Sequence, residues 1–395
     1  MHFNSPRRYW FFALAALILA LCAVSLRDPQ LASGPRLPDH DAAPRDIAVV
    51  EAAPQPTAAP RPTTPPEPTA QPVNAPVAAP AGHQALAEAD LPEPANAAPA
   101  IAPAAAPTQP PARQGPPRVG LQVGHWKSNE LPDELARLRT STGARAGNIT
   151  EAQVNLDVAQ RVAKLLESVG VQVDILPATV PQGYDADAFI AIHSDGSSNT
   201  KARGFKLATP WRASRASILL MDVMTDEYGR ATGLPPGGAP TVNMRGYYAF
   251  TARRQPHAIA PTTPAVIIEL AFLTNATDRW YLTTQQDTLA IGVANGIIRY
   301  LNERDPNDRA ALVPPDFPPQ RAADPAGVGI RSAPRDDAKV ILQVPQERLL
   351  VPLQEQGEWF QVVARGEWGK IGWVRKSDLR PSNDPTPVPP PPSDS

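Results

Sequence analysis

Fifty prolines in 395 residues are far more than an average chain carries, and their placement decides which stretches can build a core. They crowd the segment Arg27 to Pro117, the stretch Val313 to Gln320 and the end of the chain after Pro381. Proline fixes φ and removes a backbone donor, so such stretches do not run as helices or central strands. The first of them is otherwise rich in alanine, poor in aromatics and sparsely charged with both signs, a composition that buries too little apolar surface to offset chain entropy. The expected organisation is an apolar leader 1–26, a disordered linker 27–117, a folded domain 118–305, a Pro-rich connector 306–326, a small folded unit 327–381 and a disordered tail 382–395.

The leader is the apolar run Trp10 to Leu26 behind Arg7 and Arg8, a charge order that predicts an inside N-terminus and an exported remainder. Its length sits at the short limit of a spanning helix and above a minimal signal core, so it reads either as a retained anchor or as a signal peptide cut after Ala23-Val24-Ser25. The single cysteine, Cys22, excludes an intramolecular disulfide framework. A formal charge of -2 argues against nucleic acid as the main partner.

Between the proline-rich stretches, apolar patterning predicts α/β structure, an open twisted sheet flanked by helices. Val119, Leu121 and Val123 alternate with more polar positions as a short strand that ends at Gly124-His125. Thr150 and Gln153 read as a capping box for a helix that runs to about Val169 and stops at Gly170, with Glu151 exposed in its first turn. Two apolar runs, Ala188 to Ile192 and Ala265 to Leu270, read as central strands, placing His193 and Glu269 at carboxyl ends. Sites in open α/β sheets form beyond those ends, so His125, His193 and Glu269 can converge there. A last helix is expected from about Gln286 to Asn302, and Trp211 to Tyr228 has the composition of a surface helix.

Two histidines and a glutamate supply the three donors of a hydrolytic zinc site, with the fourth position left for water. Glu269, which ends an apolar run where desolvation raises a carboxyl pKa, suits the general base. Taken singly, each residue has a plainer reading. A histidine after a strand is often only structural, and a glutamate in a helix first turn is accounted for by the helix dipole. The ligands also lack the fixed local spacing of a His-Glu-x-x-His helix. Only Glu269 resists, because a carboxylate closing an apolar strand costs stability unless something pairs with it.

The surrounding words add to this. Gly124-His125, Thr150-Glu151 with Val154-Asn155-Leu156, Ile192-His193-Ser194-Asp195, and Pro264 to Asn275 resemble, in this order, the zinc-dependent N-acetylmuramoyl-L-alanine amidases (amidase type 3 family) that cleave bacterial peptidoglycan. The resemblance runs from about Arg118 to Leu301. It implies that His125, Glu151 and His193 bind Zn2+, that Glu269 is the catalytic acid/base, and that peptidoglycan in the cell envelope is the substrate. The first histidine departs from the family's Asp-Pro-Gly-His-Gly-Gly, standing here in Gln122-Val123-Gly124-His125-Trp126-Lys127, which reshapes one cleft wall. Some family members carry a helix that occludes the zinc until a partner displaces it; nothing in this sequence specifies such an activator. A zinc peptidase acting on the stem peptides and a catalytically silent wall-binding protein stay open as alternatives, and so does membrane attachment through an uncleaved leader.

In the C-terminal unit, five short strands, with Ile330-Arg331-Ser332-Ala333-Pro334 and Gly372-Trp373-Val374 as its firmest words, resemble a bacterial SH3-like barrel of the kind that attaches hydrolases to cell walls. Trp359 and Trp373 are expected in its core and Trp368 on its surface.

Overall fold

The structure, a computed structural model, describes residues 113–389; the expected leader 1–26, nearly all of the linker 27–117 and the last residues of the tail lie outside the described residues. Among the described residues no helix is long and apolar enough to cross a membrane. Strand β1 (Arg118–Val123) is followed by a small hairpin, β2 (Arg145–Ala146) and β3 (Ile149–Thr150), then by α1 (Glu151–Ser168), β4 (Gln172–Leu176), β5 (Ala188–Asp195) and β6 (Lys206–Ala208). The chain continues through α2 (Arg215–Thr232), the one-turn α3 (Val242–Arg245), β7 (Ala265–Phe272), α4 (Ala276–Thr284) and α5 (Gln286–Glu303).

Five of these strands form one sheet in the order β4-β1-β5-β7-β6. The first four are parallel and β6 runs antiparallel along the edge. Alternation splits the sheet cleanly between two cores. Val119, Leu121, Ile190, Ile192, Val266 and Ile268 face α1, α2 and α5. Their neighbours Phe189, Ala191, Ala265 and Ile267 face the opposite layer, built from Leu131, Leu135, Leu138, Met244, Tyr247 and Tyr248. His193 and Glu269 share the parity of Ala191 and Ile267, so they belong to this second face.

Helix α1 starts and stops where its end residues allow. The Thr150 hydroxyl accepts from the Gln153 amide at 3.4 Å, but the Gln153 side chain reaches forward to Asp157 at 2.8 Å, so the predicted capping box is only half made. At the other end Gly170, at φ +85°, lets Val171 N and Gly170 N return to the carbonyls of Leu166 and Glu167, a Schellman ending.

Helix α2 begins at Arg215, four residues later than composition suggested, because the Ser214 side chain caps the Ser217 amide at 3.1 Å. It leaves Asp222, Thr225, Asp226 and Arg230 exposed, as a surface helix does, and packs its other face into the core. Leu220, Met224 and Tyr228 are buried against α5, and Tyr228 Oη donates to Leu270 O at 2.8 Å. Two glycines of α5 permit this approach: a Cβ on Gly296 would lie 2.8 Å from Met224 Cα, and one on Gly292 3.1 Å from Tyr228 Cα.

The C-terminal strands β8 (Gln320–Ala322), β9 (Val328–Arg331), β10 (Val340–Val344), β11 (Leu350–Gln356), β12 (Trp359–Ala364), β13 (Ile371–Arg375) and β14 (Leu379–Pro381) form a seven-stranded antiparallel sheet in the order β10-β9-β13-β12-β11-β8-β14. Strand β8 lies inside the stretch read as connector. Trp359 is buried and Trp373 half-buried, whereas Trp368, expected on a free surface, meets Trp211 of the preceding domain edge-on at 5.7 Å. The reason is a small apolar patch of Val351, Leu353 and Val363 that these two tryptophans cover. Arg212 continues the junction, pairing with Asp316 at 2.9 Å and donating to Phe317 O at 3.0 Å.

The close helix contact is directly testable. Gly296→Leu should lower stability by about 1–3 kcal/mol through overpacking against Met224, read as a shift of the urea midpoint. An unchanged midpoint would show that α2 and α5 are not locked at this distance.

Candidate metal centre

The site sits at the carboxyl end of the second face, where four separate segments meet. The parallel pairing of β1 with β5 is extended by Gly124 N donating to Ile192 O at 2.9 Å, so His125 leaves the sheet beside His193. A Cβ on Gly124 would fall 2.5 Å from the His193 ring, so only glycine admits that ring here. His125 takes a left-handed backbone, φ 62°, and so does Lys127, φ 58°. For non-glycine residues this conformation costs on the order of 1 kcal/mol or more. The altered flanks thus act through backbone strain. Trp126 between them packs on the core while Lys127 lies over its ring.

Glu151 comes from the first turn of α1 and is 4 % exposed, which corrects the expectation of an exposed helix end. The hairpin folds over it: Ala144 N donates to Oε2 at 2.7 Å while Glu151 N returns to Ala144 O at 3.0 Å. Its other oxygen, Oε1, lies 3.1 Å from His193 Nδ1, 3.1 Å from Ser194 N, 3.3 Å from Asn155 Nδ2 and 3.5 Å from His125 Nε2. His125 in turn points Nδ1 at Ser141 O, 2.9 Å away, leaving Nε2 for the centre. Donor atoms of His125, Glu151 and His193 all fall within 4.8 Å of one another, a spacing that one metal ion spans.

Glu269 is brought in by strand register. It pairs with His193 across β5 and β7 and with Lys206 across β7 and β6, placing the three in one row on one face. The Lys206 ammonium forms an ion pair with Asp195 and lies over the Phe272 ring. Glu269 itself opens partly to the cleft, yet Oε2 is buried with no hydrogen-bond partner. A cavity of about 670 Å³ joins these groups, with His125, His193 and Glu269 on its wall.

Two carboxylates in one site are driven in opposite directions. Burial would raise Glu151, but the His193 hydrogen bond and the fields of His125 and His193 outweigh it and hold the carboxyl at about 2. Burial lifts Glu269 well above the ordinary range, the charges of Glu151 and Asp195 add to that, and only Lys206 opposes it. Burial also lowers His193.

The region that carries all four residues, 119–299, matches the family described as N-acetylmuramoyl-L-alanine amidase. This part of the chain is an amidase domain. Its reaction is hydrolysis of the amide between N-acetylmuramic acid and L-alanine in peptidoglycan. Solved structures similar to the chain include the catalytic domain of CwlV from Bacillus (Paenibacillus) polymyxa var. colistinus, 22% identical, covering 48% of this chain and 99% of its own at a TM-score of 0.35. AmiC2 of Nostoc punctiforme is 19% identical and covers 48% and 100% at a TM-score of 0.36. Ami1 from Mycobacterium smegmatis is 19% identical and covers 47% and 97% at 0.35. No curated protein matches the chain.

The structure brings all four residues singled out from sequence to the wall of one cavity. Sequence reasoning passed over their supports. Asn155, one turn after Glu151 on α1, donates to that carboxylate and to Gly124 O and accepts from Ser194 Oγ at 2.8 Å. Its i+4 spacing from Glu151 is a signal that could have found it. Tyr247, Tyr248 and Gln122 also reach the site, and nothing local in the sequence announces it.

The opposed carboxyl shifts give the metal-free amidase a pH signature. Glu151, held below its ordinary 4.5, contributes stability above that value that is lost as pH falls toward about 2. Glu269, raised above 4.5, binds its proton more tightly when folded, so its contribution is present below 4.5 and is lost as pH rises. In chelator, Glu269→Gln should therefore remove a fall in stability between about pH 5 and about pH 8 and gain on the order of 1 kcal/mol at the upper end. Urea titrations at both pH values measure it, and a variant no more stable than the parent at the higher pH would refute the raised Glu269.

Proposed function

We propose that the amidase domain holds one Zn2+ through His125, Glu151 and His193, and that Glu269 is its acid/base. The observation that carries this reading is the row His193–Glu269 on adjacent strands, with an orphaned Glu269 oxygen buried beside a cluster of two nitrogens and one carboxylate. That donor set is the one hydrolytic zinc sites use. The residues fit the ion on a second count. His125 and His193 each present a ring nitrogen within 3.5 Å of Glu151 Oε1, and a cation among these donors would relieve the charge of a buried carboxylate.

When bound, zinc supplies Lewis acidity, lowering the pKa of water to about 7 and polarising a carbonyl oxygen. The chain's residues do the rest. Ser141 O fixes the orientation of His125 through its Nδ1–H. Ala144 N and Asn155 keep Glu151 from turning into the cleft. Glu269 accepts the proton of the attacking water and delivers it to the alanine nitrogen as the carbon–nitrogen bond breaks, leaving a lactyl carboxylate and a free N-terminal alanine. A raised affinity for that proton suits a group that must carry it between the two steps.

The C-terminal sheet is read as an SH3-like module that keeps the enzyme on peptidoglycan, and the leader 1–26 as the export signal or anchor that places it in the envelope. The apolar run behind Arg7 and Arg8 and the Pro-rich tether support that location; at about 3.1 Å per residue the tether extends to roughly 280 Å.

Metal analysis and product analysis test the reading together. Wild type should bind one zinc and release peptides with a new N-terminal alanine from intact glycan, and His193→Ala should lose both properties. Glu269→Gln should keep the zinc and lose about 10²–10⁴ of kcat. A fully active Glu269→Gln enzyme would remove Glu269 from the mechanism, and cleavage within the stem peptide instead would identify a peptidase.

A further inference from the structure

The proton directions around His193 can be worked out from fixed points. Gln122, fully buried on β1, faces Val123 O at 3.4 Å, Pro177 O at 3.5 Å and Tyr248 Oη at 3.3 Å with its amide nitrogen. Two of these neighbours are carbonyl oxygens, which only accept, so the amide group has one orientation. Its oxygen therefore faces Tyr247 Oη at 2.8 Å. Two oxygens at that distance need a proton between them, and the amide oxygen has none. The Tyr247 hydroxyl proton is committed to Gln122.

Tyr247 Oη also lies 3.1 Å from His193 Nε2 and, its own proton spent, meets that nitrogen as an acceptor. His193 must then carry its hydrogen on Nε2. A neutral imidazole has one such hydrogen, so in that state Nδ1 is a bare lone pair 3.1 Å from the Glu151 carboxylate, and the hydrogen bond between the two is made only when the ring carries a second proton. Two lone pairs at that distance repel unless a cation lies among them. The ring is closely surrounded, occupying the space that a Cβ on Gly124 would take and packing edge-on with Tyr247 at 5.2 Å.

We propose that Tyr247 and Gln122 are positioning residues that hold His193 as the Nε2–H tautomer and so present Nδ1 as the metal-binding atom. The inference rests on the reading of His193 as a metal ligand and adds which nitrogen binds and what selects it. Both positioning side chains are buried, Tyr247 at 8% exposed and Gln122 at 0%, so water does not substitute readily for either. Tyr247 belongs to the segment after α3, which also carries Met244 into the cleft wall. The covering layer of the second sheet face thereby sets the chemistry of the site beneath it.

The test is zinc affinity of the full-length protein, measured by competition with a chromophoric chelator. Tyr247→Phe, which removes one hydroxyl and keeps the ring, should still bind one zinc but about 10- to 100-fold more weakly, the usual effect of losing an outer partner of a metal histidine. Tyr228→Phe, which removes an equally buried hydroxyl with no contact to the site, should leave the affinity unchanged and so separates positioning from general destabilisation. Wild-type affinity in Tyr247→Phe overturns the proposal while leaving the ligand assignment intact. Failure of His193→Ala to weaken binding overturns the ligand assignment and the proposal with it. Should Tyr247→Phe not fold, Gln122→Met, which deletes the acceptor that takes the Tyr247 proton, decides by the same criterion.

Discussion

Everything in this site turns on one buried carboxylate. Glu151 Oε1 is met by two imidazole nitrogens, a side-chain amide and the Ser194 backbone amide, while Oε2 is closed by Ala144 N. An unpaired carboxylate so placed would be costly, so these groups cannot drift apart without exposing the charge to an apolar surround. Helix α1, the β2–β3 hairpin, the end of β5 and the turn after β1 are therefore tied at one point. The helix N-terminus adds its own favourable field. The same carboxylate raises Glu269, which lies one position away across the sheet from His193.

A rigid scaffold makes this economy workable. The parallel register of β1, β5 and β7 delivers Gly124, His193 and Glu269 to one edge, and a slip of one residue would send His193 and Glu269 to the helix-covered face. Strands buried on both sides resist such slips, because each has a separate apolar partner set above and below. Among the described residues, a left-handed backbone at non-glycine positions is found at His125 and Lys127, both in the turn after β1. The polar groups behind His125, Glu151 and His193, among them Asn155, Ser194 and Gln122, are buried, so each hydrogen bond is retained in a low-dielectric surround where an unmade one is expensive.

The second face carries more function than its sequence suggested. Leu131, Leu135 and Leu138 on one side and Met244, Tyr247 and Tyr248 on the other cover the apolar half of the sheet, and all of these but Leu135 continue into the cleft wall. Stability and site chemistry share side chains there. The helix Arg215–Thr232 lies on the other face, packed into the core by Leu220, Met224 and Tyr228, and so takes no part in covering the cluster of His125, Glu151 and His193. Beyond the domain, Trp211 and Trp368 close a junction with the C-terminal sheet, which makes that sheet a neighbour of the catalytic unit.

Local patterning determined much by itself. Alternation placed β1, continuous apolar runs placed β5 and β7, the Thr150 and Gly170 signals bounded α1, and the words around His125, Glu151, His193 and Glu269 singled out four residues that the fold gathers in one cleft, because strand ends and helix caps are written in a few adjacent positions. Burial and partnership were decided only by tertiary structure. Glu151 read as an exposed first-turn glutamate because a helix terminus is normally wet; the hairpin that closes over it pairs through Ala144. Trp368 read as a surface aromatic because the patch of Val351, Leu353 and Val363 beside it is closed by Trp211, which the preceding domain supplies. Tyr247 stands 54 positions from His193 and 125 from Gln122, and no local signal spans such separations. The candidate residues were therefore legible along the chain, while their protonation, orientation and strain depend on neighbours that only folding brings within hydrogen-bond distance.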